Sequence, residues 1–323
     1  MIQMTNTKTI ISLFLLGNHI ICSADDMAER TTLYVTNNAS NTVSTCSVDE
    51  KTGKLNRCTT SGNGLSGPEG IVLNTSGTQA YIANNDDYSV SLCAIKPDNG
   101  MLFGCSITAV GFSIPAGVTL NSLETFAYVT DYDGGVSRCI IHPNSGELYA
   151  CEETGTDFHG ASDISLNSTN TIAYITNVDN NTVSVCLVDS TTGLLNQCKR
   201  VKARFSSPEG ITLNPSGTFA YITNHENASI SRCVIQPMDG TLSDCITTGS
   251  GFDGHGRIAF NTRGTFAYVP SFTTGLIAVC SVDMDSGELE QCSSAGGTGF
   301  KNPAKLVLFS NAKGRKNFTK QII

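Results

Sequence analysis

Tryptophan is absent, aromatic residues make up 7% of the chain, and charged residues only 15% of its 323 positions. So few charges exclude a coiled coil or a solvated helical bundle. The 40% of hydrophobic residues excludes a disordered chain. Apolar residues recur with a period of two, never convincingly 3.6, and no run after the first 24 residues is long enough to cross a bilayer. Basic residues are the scarcer sign. All 28 acidic residues lie between positions 25 and 309, with only 15 of the 20 lysines and arginines. Such a surface repels nucleic acid and anionic lipid, so neither is expected as a partner. No phosphate loop, dinucleotide fingerprint or nucleophile elbow is present. No cofactor is therefore expected, and no catalytic residue is assigned.

The termini differ from the body. Residues 1–24 combine Lys8, an apolar run from Ile10 to Leu16, and Ser23-Ala24 before Asp25. They read as a secretory signal peptide, with lipid anchoring at Cys22 the weaker alternative because Ile21 is bulky. Residues 311–323 form a basic tail with Lys313, Arg315, Lys316 and Lys320.

Between them the chain repeats. Tyr-x-[Thr/Ala/Pro]-[Asn/Asp/Ser] recurs from Tyr34, Tyr81, Tyr128, Tyr174, Tyr221 and Tyr268. Each copy holds four short alternating runs separated by Gly, Pro, Asn and Ser. Four antiparallel strands in some 45 residues form a propeller blade. The first copy starts at its second strand, and Asn302–Phe309 after the last copy supplies the missing first strand. The expectation is all-β: one six-bladed propeller over 31–310, its ring closed by the C-terminal strand. The six tyrosines are expected to pack between blades. The Asn after each Tyr-x-Thr is expected to close an Asx-type turn.

The cysteines keep the same period. Twelve of the 13 fall in pairs twelve residues apart: Cys46/Cys58, Cys93/Cys105, Cys139/Cys151, Cys186/Cys198, Cys233/Cys245 and Cys280/Cys292. Each pair brackets a turn ending in Gly, from Gly53 to Gly287. A three-residue loop there would set the two cysteines directly opposite each other across the outer hairpin of a blade. Six disulfides follow, and with them an oxidising compartment, secreted or periplasmic. A spacing of twelve fits no common zinc pattern, so no metal is expected.

These motifs resemble the YVTN-type β-propellers, a group that extends to lactonase-like propellers. The best copy runs from Pro208 to Asn224, and the resemblance covers 31–310. It implies relatives among surface-layer proteins, binding modules and some enzymes. This chain has six repeats where seven are commoner, and no lactonase catalytic set can be matched onto its positions.

Sites are sought where the repeat breaks, because residues shared by all blades are most simply structural. The Pro-Glu-Gly triplet at the start of the innermost strand varies most. It places Glu69, Asp163, Glu209, His255, Arg257 and Lys305 as ligand-binding candidates around one mouth of the channel. Glu69 and Glu209 lie three blades apart. His159 and His225 lie in loops near that face, with Asp86, Asp87, Asp131, Asp133 and Asp179. Six Asn-x-Ser/Thr sequons occur, the first at Asn38. The reading favoured from residues alone is an exported, non-enzymatic, monomeric scaffold that presents polar loops to a protein or glycan. The alternative is a lactonase-like hydrolase acting at the channel mouth.

Overall fold

The computed structural model describes residues 30–250, 252 and 256–311. The signal segment, Cys22, the basic tail and His255 lie outside the described residues. The described chain forms six four-stranded antiparallel sheets. Each sheet is one blade, with strands a to d counted outward from the axis. The innermost strands are Pro68–Leu73, Pro115–Leu120, Ala161–Leu166, Pro208–Leu213 and Ala259–Phe260 in blades 2 to 6. Blade 1 takes its strand a from the other end of the chain. Pro303–Asn311 pairs antiparallel with Arg30–Asn37, Tyr34 opposite Val307. The expected closure is present, and no helix among the described residues is long and apolar enough to cross a membrane.

The repeat motif works mostly between blades. Tyr81, Tyr128, Tyr174 and Tyr221 are buried, and their hydroxyls donate to the carbonyls of Gly146, Gly193, Gly240 and Gly287, at 2.6–2.9 Å. Each acceptor lies in the c–d turn of the next blade. The threonine two places on acts at the inner end. Thr223 Oγ1 accepts from Gly210 N in its own blade and donates to the Gly256 carbonyl of the next, both at 2.8 Å. Thr36, Thr130 and Thr176 do the same. Blades 2 and 6 lack this staple, having Ala83 and Pro270 instead.

The asparagine ending strand b does not close a turn, contrary to expectation. Asn224 Nδ2 donates to Ser229 and Ser231 on strand c, and its Oδ1 accepts from Ser206 N in the incoming d–a loop. Fully buried, it ties strand b to strand c and to the d–a loop at once, which a local turn would not require. In the a–b connections Asn214 Oδ1 spans the turn, accepting from the backbone N–H of Thr218 and Phe219. The Asx turns lie in the c–d connections, where Asp189 Oδ1 accepts from Thr191 N.

All six expected disulfides form: Cys46–Cys58, Cys93–Cys105, Cys139–Cys151, Cys186–Cys198, Cys233–Cys245 and Cys280–Cys292. Their Cα–Cα separations are 3.9–4.1 Å. The pairing geometry departs from expectation in two ways. The turn is longer: in blade 1 the Asp49–Lys54 pair closes a four-residue loop, and Asp49 Oδ1 accepts from Lys51 N and Thr52 N. Those bonds hold the Asp49 carboxyl below its usual range.

The cysteines are also not a simple opposed pair. In each blade the second cysteine belongs to a bulge, so that two residues face the first cysteine. Arg57 and Cys58 face Cys46, and Gly104 and Cys105 face Cys93. Ala150 and Cys151 face Cys139, and Gln197 and Cys198 face Cys186. Asp244 and Cys245 face Cys233, and Gln291 and Cys292 face Cys280. The residue before the second cysteine is left-handed in every blade, with φ between +46° and +59°. That extra residue offsets the longer loop and restores the sulfurs to reach. The two sulfurs of a pair differ in environment. The first cysteine of each pair is fully buried. On the outermost strand Cys58, Cys105, Cys198 and Cys245 are half-buried, and Cys151 and Cys292 are exposed. A loop of this length contributes at most about 3 kcal/mol through the unfolded chain.

The ring has one weaker junction. Tyr268 of blade 6 is buried, but its hydroxyl has no hydrogen-bond partner among the described residues. Tyr174→Phe should therefore lower stability by about 1–3 kcal/mol, because the buried Gly240 carbonyl loses its donor. Tyr268→Phe should be neutral or slightly stabilising. Denaturant unfolding of the two variants checks this pair, and equal losses would contradict the assignment.

Candidate functional site

At the third position of the varying triplet, three blades have glycine and three a charged residue: Gly70, Gly117, Asp163, Gly210, Arg257 and Lys305. The glycines let neighbouring inner strands close on one another. A β-carbon on Gly70 would lie 2.7 Å from the Ala116 carbonyl oxygen, and one on Gly117 would lie 2.8 Å from Asp163 Oδ1. The three charged side chains fill the neck that remains. They come from blades 4, 6 and 1, so they can meet only at the axis.

Asp163 is fully buried. Its carboxylate accepts from Arg257 Nε at 2.9 Å and Nη2 at 2.5 Å, a bidentate pair, and from Ile211 N at 2.9 Å. Lys305 Nζ stands 3.6 Å from Asp163 Oδ1 and donates to the carbonyls of Ala116 at 2.8 Å and Ser162 at 2.7 Å. Arg257 Nη2 also donates to the Ile164 carbonyl at 2.8 Å, and Nη1 makes a long contact of 3.5 Å with the Val118 carbonyl. Burial opposes ionisation of Asp163. The Arg257 and Lys305 charges and the hydrogen bonds from Arg257 and Ile211 outweigh it and hold the carboxyl below its usual range. With Asp163 ionised, the plug carries one excess positive charge.

The candidates thus separate. Asp163, Arg257 and Lys305 come together inside the neck and not around its rim. Glu69 and Glu209 are half-buried and each precedes a neck glycine, one residue nearer the d–a loops. Asn38 Nδ2 donates to Glu69 Oε2 and Gly256 N to Glu209 Oε2, both at 3.4 Å. His159 contacts Asp157 at 3.2 Å, and Arg200 pairs with the same carboxylate at 2.8 Å. His225 is exposed in its b–c loop. Among the described residues, no three His, Cys, Asp or Glu side chains assemble as a metal-binding group.

Two cavities flank this arrangement. One of about 320 Å³ lies on the d–a and b–c loop face of blade 3, lined by Tyr132, Asp133, Glu153, Asp157 and Phe158. The other, about 360 Å³, opens on the opposite face, among the outgoing ends of the inner strands, and reaches Arg257. Of the repeat-breaking positions, Arg257 alone among the described residues touches this second cavity. The rest of its lining, Leu213 and Thr212 among it, belongs to the inner strands and turns that the repeat presents as ordinary structure.

A family model described as lactonase, seven-bladed β-propeller, matches residues 23–111 and 121–251. The chain belongs to this lactonase family. Its ring has six blades where the family description has seven. Among solved structures, this lactonase-family propeller is similar to a Bacteroides fragilis protein described as a candidate 6-phosphogluconolactonase. Identity is 18% over 89% of this chain and 99% of the other, with a TM-score of 0.62. It is similar to the periplasmic gluconolactonase PpgL of Pseudomonas aeruginosa, at 17% identity over 88% and 86% of the two chains and a TM-score of 0.62. A chain from a nidogen/laminin complex matches at 9% identity over 86% and 98%, with a TM-score of 0.65. These likenesses show the fold. No curated protein sequence matches the chain.

Removing the central carboxylate leaves two buried cations without their counter-charge. Asp163→Ala should cost about 3–5 kcal/mol. Because the Asp163 pKa is lowered, its contribution is fully present above pH 3.8 and is lost as pH falls through the lower folded value. The stability gap between the parent and Asp163→Asn, followed by urea unfolding, should therefore stay level above about pH 4.5 and narrow below pH 3.8. A gap that stays constant down to about pH 2 would contradict the charge assignment.

Proposed function

We propose that the chain hydrolyses small polar lactones at the channel mouth formed by the d–a and b–c loops. The observation that carries this reading is the pairing of two half-buried carboxylates, Glu69 and Glu209, with a buried plug of net positive charge one residue further in. Family membership supports it, and two similar solved structures are described as gluconolactonases.

The chemistry needs little beyond these parts. Glu209 or Glu69 accepts a proton from a water molecule, and that water attacks the lactone carbonyl carbon. The carbonyl oxygen gains negative charge, which the positive potential of Arg257 and Lys305 favours at close range in a water-poor neck. The ring C–O bond then breaks, and the leaving oxygen takes the proton held by the glutamate. The product is an open-chain hydroxy acid. The same excess charge attracts an acidic substituent on the substrate.

A second reading has its own support. Each donor of Lys305 is directed at a protein oxygen, so the plug also makes sense as pure structure. The protein would then be a scaffold whose polar b–c loops hold a protein or glycan. Under either reading residues 1–24 are taken as the export signal, residues 31–310 as the working domain and 311–323 as a tail. The disulfides support an oxidising extracytoplasmic compartment, and the protein is taken as secreted or periplasmic.

The purified disulfide-bonded protein should open gluconolactone or its phosphorylated form, followed by proton release in a weakly buffered solution. Glu209→Gln or Glu69→Gln should lower kcat at least about 100-fold if that residue is the base, with little change in stability. No turnover of any lactone by the folded parent would overturn the hydrolase reading in favour of the scaffold.

A further inference from the structure

We infer that the cavity on the a–b turn face is a second binding site, for a monoanionic ligand with an apolar body, such as a medium-chain carboxylate. It lies at the opposite end of the channel from the mouth considered above, with the plug between them, and does not depend on that mouth being catalytic.

The cavity holds about 360 Å³, within the range of small-molecule sites. Leu166, Leu213, Ile258 and Phe260 line its apolar part, and Ser165, Thr212 and Asn214 its polar part. Among the described residues no acidic side chain lines it, whereas the other end of the neck carries Glu69 and Glu209. The walls come from blades 4, 5, 6 and 1 alone. Blade 6 contributes its short inner strand Ala259–Phe260 to the wall, where the other inner strands have six or more residues.

Arg257 sits at the inner end of the cavity and is nine-tenths buried. Its Nε and Nη2 hydrogens are committed to Asp163 and the Ile164 carbonyl. Nη1 has two hydrogens and a single long contact, to the Val118 carbonyl. One guanidinium N–H of this lining residue is thus left without a partner among the described residues, and an anion held in the cavity can accept it. Such a donor is costly to leave unmatched and strong when matched by an anion. The plug's excess is one charge, which suits a monoanion. A dianion would bring a second charge into the neck with nothing to balance it.

The test is calorimetric titration of the whole disulfide-bonded protein with octanoate and with 1-octanol, which shares the chain but lacks the charge. Octanoate should bind at one site at least about tenfold more tightly than octanol. Equal binding of the two, or no octanoate binding at millimolar concentration, would overturn the site without any variant being made. Leu213→Trp, which fills the chamber from its half-buried wall, should weaken octanoate at least about tenfold. Any lactone turnover at the other mouth should be unchanged. Undiminished octanoate binding by folded Leu213→Trp would place the ligand elsewhere and overturn the proposal. Loss of turnover with octanoate binding intact in a Glu209→Gln protein would separate this site from the hydrolytic one.

Discussion

One bidentate ion pair across the axis, Asp163 with Arg257, organises the inner half of the molecule. Asp163 stands on blade 4 and Arg257 on blade 6, and Lys305 of the closing strand joins them from blade 1. Their remaining bonds reach Ala116 and Val118 on blade 3 and Ile211 on blade 5. Five of the six blades are therefore tied at a single point. Burying these charges is costly in itself and repays that cost only through good geometry and full hydrogen bonding. Both conditions are met for Asp163 and Lys305, and one N–H of Arg257 is the exception. That exception and the one-charge excess give the neck its chemical character at either end.

Around this centre the repeat supplies two outer rings of bonds. The tyrosine hydroxyls join neighbouring blades at the c–d turns, and the threonine hydroxyls join them at the inner strands. Both rings are interrupted at blade 6, where Tyr268 lacks an acceptor among the described residues and Pro270 replaces threonine. The closing strand Pro303–Asn311 lies across this junction, in blade 1. Lys305 on that strand couples ring closure to the charge plug. The disulfides act elsewhere, each within one blade, on the outermost strand that has only one neighbour.

Much of this is legible in the sequence, for physical reasons. A period of 46–47 residues with four alternating runs admits few solutions, and cysteines twelve apart on a hairpin can reach each other. Turn length is not legible, because the bulge at Arg57 and its equivalents is invisible in spacing. A three-residue loop and a four-residue loop with a bulge give the same cysteine separation. The strand-b asparagine misleads because its type fits a turn as well as a buried clamp between two strands and a loop. For the site, the repeat-breaking positions do identify the charged residues. Their type cannot say that Asp163, Arg257 and Lys305 turn inward to one another while Glu69 and Glu209 remain nearer the loops. That depends on three glycines leaving space for three side chains, a property of the closed ring. Of the opposite cavity the sequence marks Arg257 and nothing of its space, which the closed ring alone defines.

The central claim is that Asp163 and Arg257 act as one coupled unit holding the ring at its axis. A double-mutant cycle measures this directly, with urea unfolding of Asp163→Asn, Arg257→Met and the double variant at neutral pH. Removing the arginine from the Asp163→Asn protein also removes one of its stranded cations. The double variant should therefore lose less than the sum of the single losses, by about 1.5–3 kcal/mol. Strictly additive losses would show that the two charges do not stabilise each other and would contradict the account.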